Sequence, residues 1–172
     1  MHLSDDAKAV VALTTRLGNS ERPALSPTRW HRFSLALQEA SLDPSEVFAP
    51  EFDPALPGVP DDVVLAVQEL LADAAASTVA AADLQNKGIW TLTIVDDDYP
   101  IAFSERLGKL APPVIFGVGP PSLLGERGIA IVGSRDVTED GAAAAASIAR
   151  AAADAGYAVV SGGARGVDQV AM

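Results

Sequence analysis

Cysteine is absent from the chain, which excludes a disulfide scaffold, a thiol nucleophile and a cysteine-ligated zinc site. Histidine is nearly absent: His2 and His31 leave little scope for a metal cluster or a catalytic triad. Positive charge is also scarce. Twelve lysines and arginines face 23 acids, a net charge of −11, which argues against a generally basic nucleic-acid binder. No apolar run approaches the roughly 18 residues of a membrane span. The opening Met1-His2-Leu3-Ser4-Asp5-Asp6 has neither a basic head nor an apolar stretch, so no secretory signal is expected. These absences describe a soluble cytoplasmic protein with no membrane partner.

What remains is 172 residues, enough for one ordinary domain or for one domain and part of another. The hydrophobic fraction of 49% includes 32 alanines, which bury little surface each. Charge is uneven along the chain. Residues 1–85 hold 13 acids and 5 bases, while residues 86–172 hold 10 acids and 7 bases. An anion site is therefore expected in the second half, as a local feature rather than a broad patch.

Helical periodicity dominates the first half. Ala7, Val10, Val11, Thr14 and Leu17 share one face of a helix expected over Asp5–Leu17. Ser26 before Pro27 is a good N-cap for a second, whose apolar residues are Trp30, Phe33, Leu37 and Ala40. Core packing explains Trp30 beside Phe33 better than a stacking platform at Trp30-His31. Five prolines between Asp43 and Pro60 predict a turn-rich connection. Asp61–Leu71 and Asp73–Gln85 read as two further helices, the latter with Val79 and Leu84 facing inward. Residues 1–85 thus form an all-helical module.

At Gly88 the pattern turns to short β-branched runs. Trp90–Val95, Val114–Val118, Ile129–Val132 and Tyr157–Val160 read as strands. Asp96, Asp97 and Asp98 follow the first; consecutive carboxylates do not converge on one ion, so they read as a solvated turn. An alanine-rich helix spans Glu139–Ala155 and stops at Gly156. Strand, glycine loop, helix, strand and glycine loop describe a βαβ unit with parallel strands. A doubly wound sheet has five or six strands, whereas four at most are countable here. Residues 86–172 therefore read as the N-terminal part of such a domain, cut short near Met172.

Two loops carry the chemistry. Gly133-Ser134-Arg135 follows the third strand, and Ser161-Gly162-Gly163-Ala164-Arg165-Gly166-Val167-Asp168 follows the fourth. Ligands of open α/β sheets bind beyond the carboxyl ends of the strands. Glycine admits a phosphate close to the backbone, a helix N-terminus supplies free N–H donors, and Arg135 and Arg165 could grip phosphate oxygens. The candidate phosphate site is Gly133, Ser134, Arg135, Ser161, Gly162, Gly163, Arg165 and Gly166. Neither loop is a dinucleotide fingerprint or a P-loop. Tight βα turns with arginines paired to surface acids would use the same residues, and both readings stand. Asp168 reads as a cap or loop brace rather than a catalytic group.

The ordered set of motifs over Gly88–Ala171 resembles the DNA-processing protein A family (DprA, also called Smf). The matching pieces are Asp98-Tyr99-Pro100, Pro112-Pro113-Val114-Ile115-Phe116 with Gly117 and Gly119, and Ile129-Ala130-Ile131-Val132-Gly133-Ser134-Arg135. Gly141, Gly156 and Val159 through Asp168 complete it. The resemblance implies an α/β fold in which a helical N-terminal module precedes a Rossmann-like domain, here incomplete. It implies a non-enzymatic role without catalytic residues, cofactor or metal: binding single-stranded DNA during natural transformation and loading a RecA-type recombinase. It places Arg135 in the DNA-phosphate pocket and Ser161–Gly166 along another wall. The RecA and homodimer surfaces would lie beyond residue 172. The alternatives are a nucleotide-binding or nucleotide-sensing Rossmann-like protein, or an inactive fragment with an open sheet edge.

Overall fold

Ser4 starts the first helix by accepting the N–H of Ala7 at 3.1 Å, and Asp5 and Asp6 sit in the first turn, where the helix dipole favours negative charge. The computed structural model describes residues 3–18 and 23–172; His2 lies outside them. Two compact units result, Met1–Gly119 and Pro120–Met172.

In the first unit, helix α1 (Asp5–Thr14) is central. Ala7, Ala9, Val10, Val11, Ala12 and Leu13 are all buried, so the helix is enclosed on nearly every side rather than along the single face its periodicity predicts. Alanines make this possible, because short side chains let several neighbours approach the axis closely. Thr14 turns its hydroxyl back to the Val10 carbonyl at 2.6 Å.

Helix α2 (Pro27–Glu39) is capped by Ser26, which accepts the Arg29 N–H, and carries Pro27 in its first turn. Its inner face is Trp30, Phe33, Ala36 and Leu37, while Ala40 is exposed. Phe33 lies edge-on to Phe52 at 6.4 Å between ring centres and tilted to Trp30 at the same distance. Phe52, Leu56 and Val59 of the proline-rich connection pack on this core, and Pro44–Phe48 forms a 3₁₀ turn beside α1. The connection is irregular, as its prolines require, yet it covers the core.

Helices α3 (Asp61–Ala72) and α4 (Ala74–Asn86) meet at Asp73 with a bend of 65°. The inward face of α4 is Ala74, Ser77 and Ala81, not Val79, which is 62% exposed; Leu84 is half-buried. Ala81 meets Ala7 and Val11 of α1, and its short side chain lets α4 lie close to α1 there. No single helix among the described residues is long and apolar enough to cross a membrane.

Strands β1 (Trp90–Thr93) and β2 (Val114–Gly117) pair antiparallel, with helix α5 (Ile101–Leu107) between them in sequence. Trp90 stands opposite Gly117, and a side chain at Gly117 would enter the indole ring. The indole N–H donates to the Gly119 carbonyl at 2.7 Å. Thr91, Leu92 and Thr93 are buried, and Ile94 and Val114 join the helical core. A lone two-stranded ribbon is not stable in water, so it completes the helical unit. The compact unit accordingly ends at Gly119, whereas the change of sequence pattern falls at 85/86.

In the second unit, β3 (Gly128–Ala130) and β4 (Ala158–Val160) pair parallel, joined by helix α6 (Glu139–Asp154) and followed by the short helix α7 (Val167–Val170). This is the βαβ unit expected from the glycine-punctuated pattern. Parallel pairing is confined to these two strands; β1 and β2 pair only with each other. Thr138 caps α6 by accepting the Gly141 N–H at 3.2 Å, and Gly156 ends it with φ +78°. Ala145, Ala149 and Ala152 form the buried seam of α6. Ile131 lies between Ala149 and Ala171 with Val159 and Val167 around them. The protein is thus a mixed α/β chain with a helical N-terminal part and a small parallel sheet.

Candidate functional site

Parallel strands point their carboxyl ends the same way, so the loops after β3 and β4 emerge side by side. The contacts between them are tight. Gly166, with φ +93°, is buried so closely that a Cβ there would meet the Ser134 carbonyl oxygen and lie 2.7 Å from that of Arg135. A side chain at Gly133 would fall 2.7 Å from a Val167 methyl. Loop-to-loop approach disfavours a side chain at either glycine, and at Gly166 the positive φ does so as well.

Hydrogen bonds hold the pair. Val167 N–H donates to the Ser134 carbonyl at 3.1 Å, and the Ser161 hydroxyl donates to the Ile131 carbonyl at 2.9 Å. Asp168 is 8% exposed, and its carboxylate accepts the Gly133 N–H at 3.3 Å. Asp168 is therefore a brace between the loops. Ser134 closes its own turn, its hydroxyl donating to the Asp136 carbonyl and accepting the Asp136 N–H.

The two arginines differ. Arg165 forms an ion pair with Asp136 and donates through Nε to the Arg135 carbonyl at 3.4 Å. That matches the expectation of an arginine paired to a surface acid, and it ties Arg165 across the first loop. Asp136, immediately after Arg135, is the partner that the sequence reading missed. Arg135 is exposed and has no ion pair among the described residues. The N–H groups of Gly162, Gly163, Ala164 and Arg165 likewise have no hydrogen-bond partner among the described residues. Unbonded backbone donors on one loop and an unpaired guanidinium on the loop next to it can each take anionic oxygens. With Asp136 and Asp168 present, the two loops carry no net formal charge, so attraction here is local and directional.

Other candidates resolve into structure. Asp96 accepts the Thr93 N–H at 2.6 Å and the Thr93 hydroxyl at 2.8 Å, closing the turn after β1, while Asp97 and Asp98 are exposed. Trp30 is 2% exposed within the core. No three acidic or histidine side chains converge among the described residues.

Residues 90–172 match the family described as DNA recombination-mediator protein A. The fold is similar to the X-ray structure of DNA processing protein A (DprA) from Streptococcus pneumoniae, with a TM-score of 0.59 and 20% sequence identity. That alignment covers 99% of this chain and 53% of the pneumococcal one, so the chain spans about half of that protein's length. No curated protein sequence matches the chain. The family's segment contains both glycine loops, their braces and the strands that aim them. Over residues 90–172, just under half of its length, the chain is similar to the DNA recombination-mediator protein A family.

Proposed function

We propose that the chain binds single-stranded DNA as a recombination mediator of the DprA type, handling strands taken up in natural transformation and passing them to a RecA-type recombinase in the cytoplasm. The role is binding, not catalysis. The similarity of residues 90–172 to the family of DNA recombination-mediator protein A supports the class of activity. The observation that carries the reading is that two adjoining loops hold unbonded N–H groups, over Gly162–Arg165, and an arginine without an ion pair, Arg135.

Gly163, with nothing within 4 Å of where a Cβ would stand, leaves the backbone of the second loop open, so phosphate oxygens can reach N–H groups that a side chain would otherwise shield. Arg135 supplies the charge-assisted contact. Such a site holds a sugar–phosphate backbone with little base readout, as strand-binding proteins require. Homodimer and recombinase surfaces belong to the proposal as partners that this site does not itself explain.

Fluorescence anisotropy of a labelled oligothymidylate tests it. Binding should weaken with salt, and Arg135→Ala should lower affinity by about tenfold or more. The slope of log affinity against log salt should fall by about 0.7 for the lost phosphate contact. Equal affinity in Arg135→Ala and the parent would remove Arg135 from the site. A thermal shift with mononucleotides that Arg135→Ala abolishes, without oligonucleotide binding, would favour a nucleotide-sensing protein instead.

A further inference from the structure

The first unit has a cleft whose charge runs against that of its surroundings. Residues 1–119 hold 17 acids and 8 bases. Three of those bases, Arg29, Arg32 and Lys109, nevertheless line one depression together with His31. Asp62 is the acid among the lining residues, and Arg29 already pairs with it. Arg32 and Lys109 are exposed and have no ion pair among the described residues. The helix supplies part of this arrangement, since Arg29 and Arg32 are three apart on α2. Tertiary structure supplies the rest, by packing the 3₁₀ turn Gly108–Leu110 and its Lys109 against α2.

His31 and Lys109 also border a second cleft of about 460 Å³, within the size range of small-ligand sites. Trp30, Leu37, Leu42 and Ile94 are apolar residues of its lining, with Ser34 and Gln38 among the polar ones. Asp43 lines this slot but not the cationic depression, so an anionic group is directed away from the slot and towards Arg32 and Lys109. A slot lined by both apolar and hydrogen-bonding residues, joined to a pair of unpaired cations, fits a flat heterocycle attached to a phosphate.

We infer that this cleft binds a nucleoside phosphate, with the base in the slot and the phosphate on Arg32 and Lys109. The ligand is either a free mononucleotide or one unit of a strand. An acidic peptide would use the cations and leave the apolar slot unfilled. The inference uses none of the residues of the glycine loops and stands independently of the function proposed for them.

Trp30 is a built-in reporter. In a Trp90→Phe chain it is the only tryptophan, and its emission should change saturably on titration with nucleoside monophosphates or an oligothymidylate. Response to mononucleotides identifies a free ligand, and response to the oligonucleotide alone identifies a strand unit; both support the site. Adding Arg32→Gln and Lys109→Gln should weaken the response by about tenfold or more, whereas adding Lys87→Gln, an exposed cation that lines neither cleft, should leave it unchanged. No response to any nucleotide would overturn the inference. So would an equal response to inorganic phosphate, full displacement by an acidic peptide, or indifference to Arg32→Gln with Lys109→Gln. Loss of the signal through Arg135→Ala alone would assign the binding to the glycine loops instead.

Discussion

The buried carboxylate of Asp168 accepts the backbone N–H of Gly133 from 35 residues earlier in the chain, at 3.3 Å. This bond joins the two glycine loops beneath the surface they share. Removing the acceptor in Asp168→Ala leaves a backbone donor without its partner, at a cost of about 1–3 kcal/mol. Urea denaturation should show that loss, with Asp168→Asn less affected because it keeps an acceptor oxygen. An unchanged midpoint in Asp168→Ala would mean that solvent replaces the bond at no cost.

Glycines with positive φ separate by what surrounds them. Gly166 and Gly156 have φ of +93° and +78°, but only Gly166 is closed in, by backbone oxygens of Ser134 and Arg135; nothing lies within 4 Å of a Cβ at Gly156. Gly156→Ala should cost about 1 kcal/mol from backbone strain alone. Gly166→Ala should cost at least about 2 kcal/mol, because the facing atoms are main chain and cannot swing aside. Thermal melts of the two variants provide the comparison. Equal losses would show that the loop–loop approach relaxes without difficulty.

Asp136 restrains Arg165 through an ion pair in which both side chains are largely exposed. Its contribution to stability is at most about 1 kcal/mol, so Asp136→Ala should melt close to the parent. The same substitution frees Arg165 and removes a negative charge from the loop. Oligonucleotide affinity should therefore rise, by several-fold at low salt and less at high salt. Weaker binding in Asp136→Ala would show that the ion pair holds the loop in its binding shape.

Tyr99 is buried, and its hydroxyl donates to the Pro112 carbonyl at 2.8 Å. Desolvation by burial raises its pKa above the ordinary 10.0. The folded state therefore keeps a proton that the unfolded chain releases near pH 10, and stability falls as pH rises through that range. Below pH 10 the contribution is complete. Chemical denaturation from pH 8 to 11 should show this decline, with the part due to Tyr99 absent in Tyr99→Phe. Identical high-pH profiles for the two chains would assign the decline to other groups.

Local signals were enough for much of the fold. Ser26 before Pro27 marks a helix start by its local sequence, and Gly156 stops a helix because α6 ends in a left-handed turn. The strand–loop–helix–strand pattern of the second unit required parallel pairing, since the crossover helix returns the chain to the same edge direction. Periodicity was less informative where alanine dominates. In α4 it favoured Val79 as the inward residue, but the seam with α1 is made by Ala81, and Val79 faces solvent. Alanine is compatible with either face, so only the neighbour's shape chooses.

The candidate site divides in the same way. Both glycine loops and both arginines are visible in the linear sequence, because glycine runs after apolar strands mark the carboxyl ends of a parallel sheet. The difference between the arginines is not visible there. Arg165 meets Asp136 and Arg135 does not meet an acid, a distinction created by how closely Gly166 lets the second loop lie against the first. Asp168 became a brace for the same reason. The cationic cleft on the helical unit left no sequence signal, since Lys109 is far from Arg29 and Arg32 along the chain. By itself the sequence determined which segments are helix, strand and glycine loop, because caps, φ preferences and periodicity act over a few residues. Tertiary structure alone decided which charges are neutralised and which remain free, because that depends on distances between residues that packing brings together.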